Sequence, residues 1–269
     1  GSEKSINIPK TCSSCGTKLV RATGEAAWRC SNAKCRAQHI EAMYHFVSKK
    51  AFDIEGLGPK VINQLVENHL LSEYADLFYL TEGDLQPLDR FAKKSAQNTV
   101  TSIQAKKKIP LHRFLYALGI RQVGEETAID LANNFGSIKE LQKVSKEDLA
   151  RVPDIGDVVA ESIVKWFQAK ENIKLINDLL AAGVVIQNPE KSSKQRKFQG
   201  RTFVLTGTLG SITRDEAKEK IRAAGGGIAG SVSKNTDYVV AGEEPGSKFE
   251  KAKDLEVQIL NETQFLKLF

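Results

Sequence analysis

The four cysteines of this chain, Cys12, Cys15, Cys30 and Cys35, fall within one 24-residue stretch in the pattern C-x2-C, fourteen residues, C-x4-C. Each close pair can place two thiolates on one side of a tight knuckle, and the intervening loop can bring the pairs together around a tetrahedral ion. Gly16 suits the knuckle turn, and Trp28 is placed to cover so small a site. Two disulfides are the competing use, but nothing marks the chain for export and the 234 residues after Cys35 lack cysteine. Zinc is therefore expected, and a shell of four sulfurs is closed to water, so the ion is structural and not catalytic. His39 and His45 are near enough to be considered as ligands. Four thiolates leave no vacancy, so surface or packing roles are expected of them.

A second chemistry resides in a repeat. Ile54-Glu-Gly-Leu-Gly58, Leu88-Asp-Arg-Phe-Ala92, Ile120-Arg-Gln-Val-Gly124 and Val152-Pro-Asp-Ile-Gly156 align without gaps, their last residues 34, 32 and 32 positions apart. Such a period suits two-helix units. The penultimate positions, Leu57, Phe91, Val123 and Ile155, are all apolar. Seven and eight positions past the end come Leu65-Val66, Thr99-Val100, Leu131-Ala132 and Ile163-Val164, the buried stripe of a helix that starts at the turn. The closing glycine permits a positive φ and leaves no side chain in the way of a ligand. First-turn N–H groups would then face outward, a setting that suits a phosphate oxygen. The unit resembles the helix-hairpin-helix motif, which grips the DNA backbone without reading bases. The competing reading is a helical repeat that merely packs.

The four hairpins differ. Lys60 follows the first, Lys93 and Lys94 follow the second, and Arg121 lies inside the third. The second has Arg90 in the turn and Ala92 in place of glycine. Glu125 and Glu126 weaken the third as an anion site, and the fourth carries Asp154 and Asp157 and no base. The candidate DNA contacts are Gly56, Gly58, Lys60, Arg90, Lys93, Lys94, Gly119, Arg121, Gly124 and Gly156. Lys106–Lys108 reads as a solvated face, and Phe114, Tyr116, Trp166 and Phe167 as helical core.

Beyond residue 197 the pattern changes to alternating strand and helix. Strands are expected at Thr202–Thr206, Tyr238–Ala241 and Val257–Leu260, with helices over Arg214–Ala224 and around Phe265, in a small α/β domain with a parallel sheet. Thr206 and Gly207 after the first strand, with Lys248 near a later helix start, could converge as a phosphate pocket. The alternative is that the domain is only a weak second contact on a flexible basic tether. Gly225-Gly226-Gly227-Ile-Ala-Gly230 spells G-x-G-x-x-G but ends a helix and precedes a strand, the wrong context for a dinucleotide. The Asn261-Glu-Thr263 sequon carries no meaning without export signals.

These elements sit in a chain of 269 residues, enough for two or three domains. It is 41% hydrophobic and 27% charged, which excludes wholesale disorder, and no apolar run is long enough to cross a bilayer. The net charge of +6 is uneven: +4 over residues 1–45, −2 over 46–190 and +4 over 191–269. A DNA contact in the slightly acidic middle must therefore use local geometry, while the two ends add ordinary attraction. The polar stretch 188–197 reads as a flexible linker whose four bases supply all of the last excess, since 198–269 hold ten bases and ten acids. Gly1-Ser2 without a methionine reads as a tag remnant on a fragment.

The order of these modules resembles the C-terminal half of bacterial NAD-dependent DNA ligase, over essentially residues 6–269. The stretches that carry the likeness include Phe114-Leu-Tyr-Ala-Leu-Gly-Ile-Arg121 with Val123-Gly124, and Lys94-Ser-Ala-Gln-Asn98. The last domain looks like a BRCT domain, with Thr206-Gly207, Gly225-Gly226 and Gly246-Ser-Lys248 in matching places and Phe265 where many have tryptophan. The resemblance implies a tail at 1–5, a four-cysteine zinc finger at 6–45, four helix-hairpin-helix repeats at 46–187, the linker at 188–197 and a BRCT domain at 198–269. In that family a lysine in Lys-x-Asp-Gly attacks NAD, and this chain has no Asp-Gly dipeptide. It would thus be the part that clamps nicked duplex DNA in replication and repair. The adenylation and oligonucleotide-binding-fold domains, with NAD and magnesium, would belong to a parent enzyme that is bacterial, cytoplasmic, nucleoid-associated and monomeric, with no membrane partner. A freestanding helix-hairpin-helix/BRCT repair scaffold is the alternative. A repair nuclease subunit would need clustered metal-binding carboxylates, which the sequence lacks.

Overall fold

The computed structural model describes residues 9–21, 26–32, 34–152, 155–189 and 197–269. The expected tail at 1–5, most of the linker and Asp154 lie outside the described residues. The chain forms two compact units, Gly1–Pro189 and Glu190–Phe269.

The first unit begins with a small antiparallel pair, β1 (Leu19–Val20) and β2 (Arg29–Cys30), with Leu19 opposite Cys30. Helix α1 (Arg36–Val47) starts directly after Cys35. Its Met43, Phe46 and Val47 are buried in the same core as the helices that follow, and Phe46 stacks on Phe52 at 4.3 Å and on Tyr74 at 4.5 Å. The expected finger boundary at 45/46 thus falls inside a helix that belongs to both parts.

The repeat region comprises α2 (Pro59–Glu67), a 3-10 turn (Tyr74–Tyr79), α3 (Glu82–Leu85), α4 (Lys93–Ala105), α5 (Leu111–Ala117), α6 (Glu125–Phe135), α7 (Ile138–Leu141), α8 (Lys146–Leu149), α9 (Asp157–Gln168) and α10 (Lys170–Ala181). The four closing residues, Gly58, Ala92, Gly124 and Gly156, are the N-caps of α2, α4, α6 and α9. Leu65, Thr99, Leu131 and Ile163, at the expected inward register, are all buried. In the second and fourth units the leading helix shrinks to one turn, α3 and α8. Each is held by a reciprocal cap, Thr81 with Asp84 and Ser145 with Asp148. One element is not helical: β3 (Lys108–Pro110) pairs in parallel with β4 (Val185–Gln187). It joins the entrance of the third unit to the end of the region, and buries Ile109.

The second unit holds β5 (Thr202–Thr206), α11 (Arg214–Ala223), β6 (Gly227–Ile228), β7 (Tyr238–Ala241), α12 (Ser247–Asp254), β8 (Gln258–Asn261) and α13 (Glu262–Leu266). The sheet order is β6-β5-β7-β8, all parallel. Phe203, Leu205 and Val240 pack with Ala217 and Ile221 of α11 and Phe265 of α13. On the other face Val204 and Val239 pack with Ala252 of α12. Short neutral or apolar strands covered on both faces are what parallel pairing requires. The glycine run ends α11 with Gly225 at φ +87° and enters β6 at Gly227, a turn and not a nucleotide loop.

Candidate metal centre and nucleic-acid interface

The first knuckle closes through Gly16 N–H to Cys12 O, 2.9 Å, and Cys12 N–H to Thr17 O, 2.8 Å. Gly16 has φ +70°, in the left-handed region that favours glycine. The second pair arrives on β2 and at the start of α1. All four sulfurs lie within 4.8 Å of one another, with Cys12–Cys35 at 3.8 Å and Cys15–Cys30 at 3.4 Å. A zinc ion about 2.3 Å from each of four tetrahedral sulfurs sets them about 3.8 Å apart, so the cluster fits the metal. All four cysteines are unbridged. Thr17's hydroxyl and N–H hold the Cys15 thiol down at about 6. Asn32's N–H favours the Cys30 thiolate, yet desolvation and the crowding Cys15, Cys12 and Cys35 sulfurs push that thiol up to about 12. A divalent cation removes this conflict by stabilising all four thiolates together.

His45 does not join the sulfurs. Its Nε2 lies 2.7 Å from Tyr116 O, and its ring packs 4.6 Å from that of Tyr116, which ties α1 to α5. Trp28 of the finger is partly exposed, at 43%, and the Arg21 guanidinium lies 5.5 Å from its ring centroid.

At the hairpins the closing glycines do not use the positive φ open to them. Gly58, Gly124 and Gly156 have φ of −77°, −83° and −80°, an ordinary extended backbone. The left-handed residue stands two positions earlier: Gly56 (+86°), Arg90 (+66°) and Gln122 (+67°). The reason is that an N-cap must be extended to enter its helix, so the chain reverses before it. A Cβ on any of the three cap glycines would meet nothing within 4 Å, whereas one on Gly56 would lie 3.1 Å from Thr99 Oγ1. The cap glycines therefore serve no internal packing need. Gly119, at φ +63°, terminates α5 one residue before its hairpin.

Helix caps vary along the chain, and α1, α5, α10 and the glycine-opened α12 lack a side-chain cap. Helices α3, α7, α8, α11 and α13 are capped by the side chains of Thr81, Ser137, Ser145, Thr213 and Asn261. Helices α2, α6 and α9, each opened by glycine, have no side-chain cap. The positive end of each helix dipole lies behind its first turn; α2 starts at Pro59, which has no N–H, and its Val61 N–H bonds Gly58 O at 3.0 Å. At α4 the Ser95 hydroxyl accepts the N–H of the N-cap Ala92 at 2.8 Å, while α4 too has no side-chain cap. Lys60, Arg90, Lys93, Lys94 and Arg121 are all exposed. The acids are partly neutralised: Glu125 pairs with Lys50 at 2.6 Å, and Asp157 with Lys146 at 3.2 Å. Lys106 of the basic run pairs with Asp53 at 2.7 Å.

Two braces escaped the sequence reading. Ser162 Oγ donates to Arg121 O at 2.8 Å, and Gln64 Nε2 to Asp89 O at 3.4 Å. In both, the residue six past one cap holds the carbonyl three before another, so the fourth unit braces the third hairpin and the first braces the second. The only local signal was a polar residue beside an inward position, which many exposed helices share.

In the second unit Thr206 is buried at the end of β5, and Gly207, at φ +74°, lets its loop pack on Gly242 and Glu243. A Cβ there would lie 2.6 Å from Glu243 O. The groove beside Gly207 is lined by residues 207–214 and Glu216, with Arg214 as its base; Lys248, in the first turn of α12, is not among the lining residues. Glu262, at the start of α13, accepts bonds from Gly210 N (2.7 Å), Ser211 N (2.8 Å) and Ser211 Oγ (2.6 Å). The Ser211 hydroxyl and these N–H groups hold its carboxyl down at about 2. Among the described residues no helix is long and apolar enough to cross a membrane.

Known proteins share this organisation. Residues 11–37 match the family described as "NAD-dependent DNA ligase C4 zinc finger domain", residues 113–176 "Helix-hairpin-helix motif", and residues 193–269 "BRCA1 C Terminus (BRCT) domain". A protein named DNA ligase from Carboxydothermus hydrogenoformans is 47% identical over 267 residues, 98% of this chain and 40% of that protein. Those from Halothermothrix orenii and Bacillus subtilis are 45% and 44% identical, over 98% and 99% of this chain and 40% and 41% of theirs. The chain thus spans about two fifths of the length of the curated relatives it matches. The zinc that its cysteines fit is the structural metal of the matched finger. Aligned almost end to end within part of these relatives, and with its finger, helical and BRCT segments matched in order, the chain is similar to the C-terminal part of NAD-dependent DNA ligases.

Proposed function

We propose that this chain is the DNA-clamping C-terminal region of an NAD-dependent DNA ligase. It holds nicked duplex DNA through phosphate-backbone contacts without reading sequence, so that the parent enzyme can seal the nick. The observation that supports this reading is the repeated turn: three of the four open their helix with a glycine that has no side-chain cap and whose added Cβ would meet nothing within 4 Å. Phosphate is the ligand such ends suit. Gly58, Gly124 and Gly156 keep the approach clear, and Lys60, Arg90, Lys93, Lys94 and Arg121 add charge. Gly56 and Gly119 shape the turns. The finger (6–45) and repeats (46–187) form the grip; the linker (188–197) tethers the BRCT domain (198–269). Thr206, Gly207 and Lys248 are the candidate phosphate pocket in that last domain.

In this reading the residues supply positioning and not bond-making. With no Lys-x-Asp-Gly motif in the chain, adenylation, NAD and magnesium belong to the adenylation and oligonucleotide-binding-fold domains of a monomeric, cytoplasmic, nucleoid-associated parent. The test is a salt titration of binding to nicked duplexes of unrelated sequence. Affinity is expected to fall steeply with salt, equally for all sequences. Salt-independent binding, or a strong preference for one sequence, refutes it. Incubation with labelled NAD and magnesium should leave no AMP on this chain.

A further inference from the structure

The zinc finger carries an aromatic surface that a grip on duplex phosphates does not use. Tryptophan is among the more buried residue types, yet Trp28 is 43% exposed, and Val20, paired with the following residue Arg29, is 48% exposed. The Arg21 guanidinium lies 5.5 Å from the indole centroid, within cation–π range, so a cation already covers part of the ring. Ala26 and Ala27 beside it are small and exposed, and leave room for a flat partner.

The charge around the ring favours a polyanion. Residues 9–36 hold Lys10, Lys18, Arg21, Arg29, Lys34 and Arg36 against the single acid Glu25. Four thiolates and one zinc dication together count about −2, so the finger stays positive even with its metal included. Phosphates need cations and N–H groups. An indole paired with arginine on a positive surface adds what a nucleobase needs, a π face to stack on.

We propose that Trp28 and Arg21 form a stacking platform for an unpaired nucleobase, so that the finger engages single-stranded interruptions while the hairpins hold duplex. This rests on the DNA-binding reading above. The chain has two tryptophans, and Trp166 packs in the helical core 5.0 Å from Phe167, so Trp166→Phe leaves Trp28 as the only indole reporter. The probes are an intact duplex and the same duplex with a short gap of unpaired thymidines. Gapped DNA should quench Trp28 and intact DNA should not. Trp28→Ala should weaken binding to gapped DNA about tenfold, with zinc content unchanged, and Trp28→Phe should restore most of it. Equal quenching by both duplexes places the ring on duplex and overturns the platform. Salt-sensitive binding without quenching, or with Trp28→Ala equal to the parent chain, assigns the surface to a protein contact and overturns the platform while leaving the clamp intact. Absence of salt-sensitive binding to either DNA overturns both readings.

Discussion

Replacing Gly124 by leucine should separate DNA binding from folding. The backbone there, at φ −83° and ψ −176°, suits any residue, and an added Cβ meets nothing within 4 Å. The folding cost is then that of a poorer N-cap, about 0.5–1 kcal/mol. At about 2–4 °C per kcal/mol for a unit of this size, the melting temperature should drop by only a few degrees. The cost to binding is larger. The side chain would stand where a phosphate must approach the first-turn N–H groups of α6, and a hydrogen bond to a charged group contributes about 1.5–3 kcal/mol, or ten- to a hundredfold in affinity. Gly56→Ala supplies the contrast. At φ +86°, with Thr99 Oγ1 3.1 Å from the new Cβ, it should destabilise the fold by about 1–2 kcal/mol or more. Lys60→Ala should cost less affinity than Gly124→Leu and reduce the salt slope by about 0.9, as expected for one lost phosphate contact. The assay pairs thermal unfolding with fluorescence anisotropy on nicked duplex. A Gly124→Leu protein that binds DNA like the parent chain, or one that fails to fold, refutes the reasoning.

Zinc should bind at one ion per chain, and a strong chelator should unfold the segment around Cys12–Cys35, read by loss of cysteine protection in thiol labelling; metal-free protein with the finger intact would contradict this. In the second unit, Arg214→Ala and Lys248→Ala can be compared on duplexes with and without a 5′-phosphate. A loss confined to Lys248→Ala on the phosphorylated end identifies the Thr206–Gly207–Lys248 pocket, whereas equal small losses on both duplexes leave only a tethered contact. Glu262, depressed to about 2 chiefly by the Ser211 hydroxyl and the Gly210 and Ser211 N–H groups, stabilises its loop above the ordinary glutamate range near 4.5 and loses that contribution as pH falls toward 2. The melting difference between the parent chain and Glu262→Gln should therefore be full at pH 6 and shrink below pH 4; a difference that is constant with pH would exclude the carboxylate's charge as its source.

Much of this protein is encoded in contiguous residues. The C-x2-C and C-x4-C spacings specify two knuckles because each needs only its own turn. The four caps and the inward positions seven residues later were legible because a helix repeats its face every few residues. Strands β5 and β7 stood out as short runs flanked by turn residues. Packing decided the rest. Whether the left-handed φ falls on the closing glycine or two residues before it depends on how the hairpin enters its helix, and Arg90 and Gln122 accept that conformation without being glycine. The braces from Ser162 to Arg121 and from Gln64 to Asp89 join residues 41 and 25 apart, and β3 meets β4 across some 77 residues. Glu262 fills a nest of N–H groups about 50 residues away, and Trp28 is left 43% exposed. Local periodicity fixes what each segment becomes, whereas contacts between distant segments form only when the core brings them together, and no short window of sequence carries that information.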